Sequence, residues 1–217
     1  LLWFGRSDAS MVHPSNVRST AQGVCCQVHF PDGTVHAVQC PLLGDHNVDN
    51  LLAAMAAAYV LGVAPADMVA GLATVQASAQ RLLPRAGYAG ALVIDDAYNA
   101  NPAATKAAIK TLASFPGKRK ILVMGEMLSL GDMADVRHQE VAQWAQEASI
   151  DALYAVGELC RSMSQAFGEH GYHFVSKQAL IEALRSTLAA DDVVLVKGSR
   201  GSAMDTVAAA LLAENNK

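Results

Sequence analysis

The stretch Ala91-Leu92-Val93-Ile94-Asp95-Asp96-Ala97-Tyr98-Asn99-Ala100-Asn101-Pro102 passes from a short apolar run directly into a polar loop. A helical pattern follows over residues 103–114. A brief, unbroken apolar run reads as a strand buried on both faces, and Asn-Pro is a common turn and helix-start signal. The same unit recurs downstream. Strands are expected at residues 91–95, 120–124, 152–156 and 193–196, with a weaker one at 173–175. Helices are expected at 103–114, 136–148, 158–167, 177–188 and 203–213. Strands alternating with amphipathic helices imply a mostly parallel sheet covered on both faces, so the fold class is α/β with a doubly wound sheet. The boundary of this domain is expected near residues 84–87, after Arg81-Leu82-Leu83-Pro84.

Upstream the pattern differs. Residues 1–5 form an apolar run ended by glycine, and 23–30 and 34–40 are alternating runs separated by Pro31-Asp32-Gly33, a hairpin signal. Residues 47–61 have helical periodicity, with Leu51, Leu52, Met55, Ala58 and Tyr59 on one face and Gly62 placed to end it. A second helix is expected over 65–75, with Pro65 in its first turn, where a missing N–H costs nothing.

Hydrophobic residues make up 52% of the 217, enough for a substantial core, and charged residues only 17%. A net charge of −4 argues against a surface built for a nucleic-acid backbone, while leaving room for a nucleotide. Cys25, Cys26, Cys40 and Cys160 form no C-x-x-C pair, so reduced thiols in a cytoplasmic protein are expected and no metal site. No apolar run reaches the roughly 18 residues of a membrane span, and no secretory leader pattern opens the chain. The chain begins at Leu1 without Met and reads as a piece of a longer protein.

In a doubly wound sheet, ligands collect at the C-terminal ends of the strands. That rule selects residues 95–102, the loop Gly125-Glu126-Met127-Leu128-Ser129-Leu130-Gly131, and Lys197-Gly198-Ser199-Arg200-Gly201. Asp95 and Asp96 are adjacent at a strand end and point in different directions, so at most one can face a given ligand. Either could accept a ribose hydroxyl or simply cap the next turn. Asn99 and Asn101 carry the same two readings. The loop at 197–201 brings two cations and a hydroxyl to a glycine-rich turn, suited to a carboxylate or phosphate or else merely solvated. In Gly44-Asp45-His46-Asn47, the histidine could stack on a base, or Asp45 or Asn47 could cap the helix. Arg81 could reach a phosphate or lie on the surface.

Taken in order, the segments G-D-H-N-x-x-N, Q-R-L, I-D-D-A-Y-N-A-N-P, G-E-M-L-x-L-G, a later His, and V-L-V-K-G-S-R resemble the Mur ligase family over essentially the whole chain. Within it, D-D-x-Y-N-A-N-P and V-K-G-S-R are similar to the member that joins D-alanyl-D-alanine to UDP-N-acetylmuramoyl-tripeptide. The resemblance implies that residues 1–84 are the last part of a P-loop-type central ATP-binding α/β domain. It also implies that 85–217 are a complete C-terminal Rossmann-like domain. No G-x-x-x-x-G-K-[ST] occurs in the chain, which is therefore expected to be inactive alone.

The implied reaction phosphorylates the peptide's terminal carboxylate with ATP. The incoming amine attacks the acyl phosphate and an amide forms, in cytoplasmic synthesis of peptidoglycan precursors. The protein's share is to position reactants and stabilise negative charge. The implied cofactors are ATP and Mg²⁺, whose ligands lie mostly outside this chain. The implied partners are the two substrates, with no nucleic acid, no membrane and a monomeric state. His46 and Asn47 would lie near the adenine, Arg81 near the ribose and phosphates, and Asp96 on the ribose hydroxyls. Tyr98 would line the cleft beside the nucleotide, with Asn99 and Asn101 beside the substrate. Lys197, Ser199 and Arg200 would meet the peptide carboxylates, with Arg81 and Lys197 the catalytic cations. Ala97 stands where the family often has Ser or Thr, and Glu126 where it usually has Asp. Two other readings stand beside this one. A sister ligase would carry D-Y-A-H-x-P in place of residues 96–102, and the chain could instead be a non-catalytic nucleotide-binding module.

Overall fold

The computed structural model describes residues 1–213. The chain forms two units, one ending at Ala77 and the other beginning at Ser78.

The first unit is a three-stranded antiparallel sheet, β1 (His13–Thr20), β2 (Gly23–His29) and β3 (Val35–Cys40), with helices α1 (Asn47–Val60) and α2 (Pro65–Ala73). The expected hairpin is β2–β3. Its alternation places Val24, Cys26, Val28, Val38 and Cys40 in a core with Val48, Leu51, Leu52 and Met55 of α1. The remaining strand is not at residues 1–5, where Phe4 makes only an isolated bridge to Val12. It is β1, read from His-Pro-Ser-Asn-Val-Arg-Ser-Thr. An edge strand half open to water needs no apolar alternation, tolerates Pro14, and here bulges between Ser15 and Arg18. Neither Asp45 nor Asn47 caps α1. Asp45 and Asp49 instead pair with Arg6 at 2.9 and 2.8 Å. All four cysteines are free and all but Cys25 are buried. Burial pushes the Cys26 thiol up to about 11.

The second unit is a six-stranded sheet: β4 (Leu83–Ala86), β5 (Leu92–Asp96), β6 (Lys120–Met124), β7 (Ala152–Val156), β8 (Gly171–Phe174) and β9 (Val193–Lys197). Their order in space is β4-β5-β9-β6-β7-β8, with β5 to β9 parallel and β4 antiparallel on one edge. The helices are α3 (Pro102–Ala113), α4 (Ala134–Glu147), α5 (Arg161–Phe167), α6 (Lys177–Thr187) and α7 (Asp205–Ala210). Val93, Ile121, Val123, Val194 and Val196 point to α6 and α7, where Leu180, Leu184 and Val207 meet them. By the two-residue period, Ile94, Leu122, Met124 and Leu195 point to the opposite face, covered by α3, α4 and α5.

Two details depart from expectation. Residues 78–84 belong with the second unit, upstream of the expected boundary, because β4 pairs with β5 along Leu83↔Asp95 to Ala86↔Leu92. The last helix begins only at Asp205, after a 3-10 turn at Arg200–Ser202 and Ala203 in the left-handed region at φ 48. Among the described residues no helix is long and apolar enough to cross a membrane.

At the opposite end of the strands Asp192 is buried and accepts from Arg119 Nε and Nη2 at 3.0 and 2.5 Å and from the Ala189 N–H at 2.8 Å. Burial alone would raise its carboxyl, but these hydrogen bonds outweigh it and hold it below the usual carboxylate range. A depressed folded-state pKa means that the stabilisation is complete above about pH 4, the unfolded value, and is lost as pH falls through the folded value. Urea unfolding at pH 6 and pH 3 should therefore show a smaller acid loss in Asp192→Asn than in the wild type. Equal losses would remove Asp192 from the acid response.

Candidate active site

The strand order decides which loops meet. β9 lies between β5 and β6, so the segments after β5, β6 and β9 share one end of the sheet. In register, Asp96 of β5 is opposite Lys197, and Met124 of β6 is opposite Lys197 on the other side. Directly paired residues in parallel neighbours point to the same face. Lys197 Nζ accordingly donates to Asp96 Oδ2 at 2.6 Å, with side-chain exposures of 3% and 10%. It also donates to the Asn99 carbonyl at 3.0 Å. The other Asp96 oxygen accepts the Leu82 N–H at 3.2 Å. Burial raises the Asp96 carboxyl above its ordinary value in spite of the lysine beside it. Asp95 projects to the other face and caps locally, taking the Ala97 N–H at 3.2 Å. Lys197 is thus buried and paired in this structure, unlike the open ammonium that the sequence leads one to expect facing a substrate carboxylate. The cause is the register, which sets a carboxylate directly opposite it.

Ser199 is committed in the same way. Its hydroxyl donates to the Ala100 carbonyl at 3.2 Å and accepts from the Leu128 N–H at 2.9 Å. Its own N–H donates to the Glu126 carbonyl at 2.9 Å. One buried serine therefore ties all three loops together, in place of the open hydroxyl expected for a substrate. Two glycines let the loops come this close. A Cβ on Gly125 would lie 2.5 Å from Met204 Cγ, and one on Gly198 would strike Ser202 Oγ and come within 2.6 Å of the same Met204 atom.

What remains exposed above this frame is Tyr98, Asn99, Asn101, Arg81 and Arg200. The Arg81 guanidinium lies 4.0 Å from the Tyr98 ring centroid and that of Arg200 5.8 Å away, so two cations flank one half-open ring. Such guanidiniums can fork onto a phosphate or carboxylate while the ring offers a stacking face. Asn101 Oδ1 caps α3 by accepting the Ala104 N–H at 2.8 Å, and Asn99 Oδ1 takes the Ala100 N–H at 2.9 Å. Their amide nitrogens are the groups left for a ligand. In the first unit, His46 is the residue before α1, and Asn47 donates to the Leu43 carbonyl at 2.7 Å and accepts from Asn50 at 2.8 Å.

Three supports have contacts that the sequence reading did not assign. His138 is fully buried, accepts the Met127 N–H at Nε2 (3.1 Å) and bonds the Ala134 carbonyl through Nδ1 (2.7 Å), which requires the Nδ1–H tautomer. Its spacing from Val141, Ala142 and Ala145 on α4 was the available signal. Lys177 donates to the Ala203 carbonyl at 3.1 Å, behind the 197–201 loop. Glu126, where the family usually has Asp, reaches across to accept the Leu159 N–H at 3.1 Å. It lies against Gly157, where an added Cβ would stand 2.5 Å from Glu126 Cγ. Among the described residues no group of three His, Cys, Asp or Glu side chains could hold a metal ion.

Comparison with known proteins assigns a family. The Mur ligase, glutamate ligase domain matches residues 80–200, and the Mur ligase middle domain matches residues 1–58. The chain is 39% identical over 199 residues to UDP-N-acetylmuramoyl-tripeptide–D-alanyl-D-alanine ligase of Escherichia coli, covering 91% of this chain and 43% of that protein. Its structure is similar to that of MurF from Acinetobacter baumannii, with a TM-score of 0.84 and 32% identity over 95% of this chain and 45% of that one. MurF ligase from Thermotoga maritima, solved in complex with ADP, shares the fold at a TM-score of 0.80 and 22% identity, covering 95% of this chain and 47% of that one. The chain therefore spans less than half the length of these relatives. With more than half of its residues matched by the glutamate ligase domain alone, it belongs to the Mur ligase family.

Proposed function

We propose that this chain supplies the C-terminal domain and part of the middle domain of an ATP-dependent ligase that adds D-alanyl-D-alanine to UDP-N-acetylmuramoyl-tripeptide in the cytoplasm. The observation that carries the reading is the 39% identity, over 91% of the chain, to an enzyme bearing that name. The exposed cluster of Arg81, Tyr98, Asn99 and Arg200 supports it chemically. The reaction gathers charge on a transferring phosphoryl group and an acyl phosphate, and positioned guanidiniums stabilise such charge without covalent steps. In this reading Tyr98 and Arg81 meet the nucleotide, Arg200 and the Asn99 and Asn101 amides meet the peptide, and His46 and Asn47 lie by the adenine. The ADP in the Thermotoga neighbour is consistent with a nucleotide as ligand. Mg²⁺ would neutralise phosphate charge, and among the described residues no group of three His, Cys, Asp or Glu side chains could hold it.

The test is phosphate release by a polypeptide joining this chain to a P-loop-bearing segment. Release should require both the tripeptide nucleotide and D-alanyl-D-alanine, and D-glutamate or a diamino acid should not replace the dipeptide. Turnover with one of those acceptors instead would make the protein a sister ligase. The 217-residue chain alone, with no P-loop motif, should release no phosphate above background.

A further inference from the structure

We propose that Leu128 is a specificity-determining residue, the surface on which the methyl group of the acceptor's C-terminal residue rests. The inference rests on the ligase reading for the acceptor, D-alanyl-D-alanine, and adds to it the group that selects a small apolar side chain. Leu128 is left 39% exposed at the end of the sheet where the loops after β5, β6 and β9 meet. Its backbone is nonetheless held closely. The Glu126 carbonyl accepts the Ser199 N–H at 2.9 Å, the Met127 N–H donates to His138 Nε2 at 3.1 Å, and the Leu128 N–H donates to the Ser199 hydroxyl at 2.9 Å. Ser129, the next residue, has a φ of 63°, in the left-handed region that non-glycine residues adopt only when their surroundings impose it. Met127 is the side chain of this loop that fills the core, so burial of Leu128 is not what the arrangement serves.

The leucine lies against the loop after β9. A Cβ on Gly201 would stand 2.7 Å from Leu128 Cδ1, so the missing side chain there leaves the leucine its place. Gly201 follows Arg200, whose exposed guanidinium is 5.8 Å from the Tyr98 ring centroid. An apolar surface and a guanidinium therefore stand side by side where the two loops meet. The C-terminal alanine of the dipeptide carries a carboxylate and a methyl group on one carbon, which is the matching pair. A guanidinium forks onto a carboxylate, and the leucine shields the methyl from water. A charged side chain in the methyl's place would lose its water against the leucine without gaining a partner. A longer apolar one would run into a leucine whose backbone cannot retreat.

The test reduces the leucine and enlarges the acceptor in the longer ligase. Leu128→Ala should raise KM for D-alanyl-D-alanine about tenfold, the effect of a lost apolar contact, and leave KM for ATP within about twofold of wild type. The ratio of kcat/KM for D-alanyl-D-leucine to that for D-alanyl-D-alanine should rise about tenfold or more, because the vacated space takes the larger side chain. Leu128→Met, close to leucine in volume, should keep the wild-type ratio. An exposed side chain contributes little to stability, so both variants should melt within about 3 °C of wild type. An unchanged dipeptide ratio in Leu128→Ala would overturn the inference. So would a parallel rise in KM for ATP, which marks a general disturbance of the loops. A wild type that turns over no D-alanyl-D-alanine would sink the ligase reading and this inference together, whereas an active wild type with an unaltered variant ratio sinks this inference alone.

Discussion

Replacing Gly198 by alanine is expected to lower kcat/KM of the longer ligase roughly 100-fold, the scale of a misplacement near 1 Å in a positioned site. The reason lies in what surrounds the missing Cβ. It would strike Ser202 Oγ and stand 2.6 Å from Met204 Cγ and 3.3 Å from Gly125 Cα. Ser202 cannot simply turn away, because its hydroxyl donates to the Ser199 carbonyl at 2.6 Å. Met204 is fully buried, so it has little space to yield. The added methyl must therefore lift the loop after β9 from the loop after β6, and Arg200 moves with it. Overpacking of this kind costs about 1–3 kcal/mol, small enough for the domain to remain folded. Kinetics and a thermal melt on the same variant check both halves. Wild-type kcat/KM would show that the close packing of these loops is irrelevant to catalysis.

Gly23→Ala should be the most damaging single substitution in the first unit. Gly23 begins β2 at φ 118°, and a Cβ there would collide with the Cys40 carbonyl and lie 2.7 Å from Pro41 Cα. Both obstacles are backbone at the end of the paired strand β3, so no side-chain rotation relieves them. Left-handed strain of about 1–3 kcal/mol adds to a packing cost of about 1–3 kcal/mol. Exchange protection of the β2 and β3 amides should collapse, while that of β6 and β9 in the second unit persists. Retained protection in β2 would mean that the strand end can shift without loss.

Much of the architecture was legible because central strands of a doubly wound sheet are apolar on both faces. Leu122-Val123-Met124 and Val194-Leu195-Val196 can hardly be anything else. The edges were harder for the same reason in reverse. β1 and β4 each leave one flank to solvent, carry a proline and show no apolar period, so neither is legible as a strand in the sequence. β8, at the other edge, was found two residues late.

At the site, the rule that ligands gather at strand C-termini picked the loops at 95–102, 125–131 and 197–201, and all three do meet. It could not tell which polar groups in them turn outward. Lys197, Ser199 and Arg200 look equally available in a line of text, yet two are buried and bonded and one is exposed. Composition and apolar spacing by themselves determined the α/β class, the strand and helix succession and the location of the polar loops, since these follow from local periodicity. Only the tertiary structure decided that β9 inserts between β5 and β6. That placement sets Lys197 opposite Asp96, because partners across a sheet are chosen by strand order and register, and neither is encoded in the spacing of residues 101 apart along the chain.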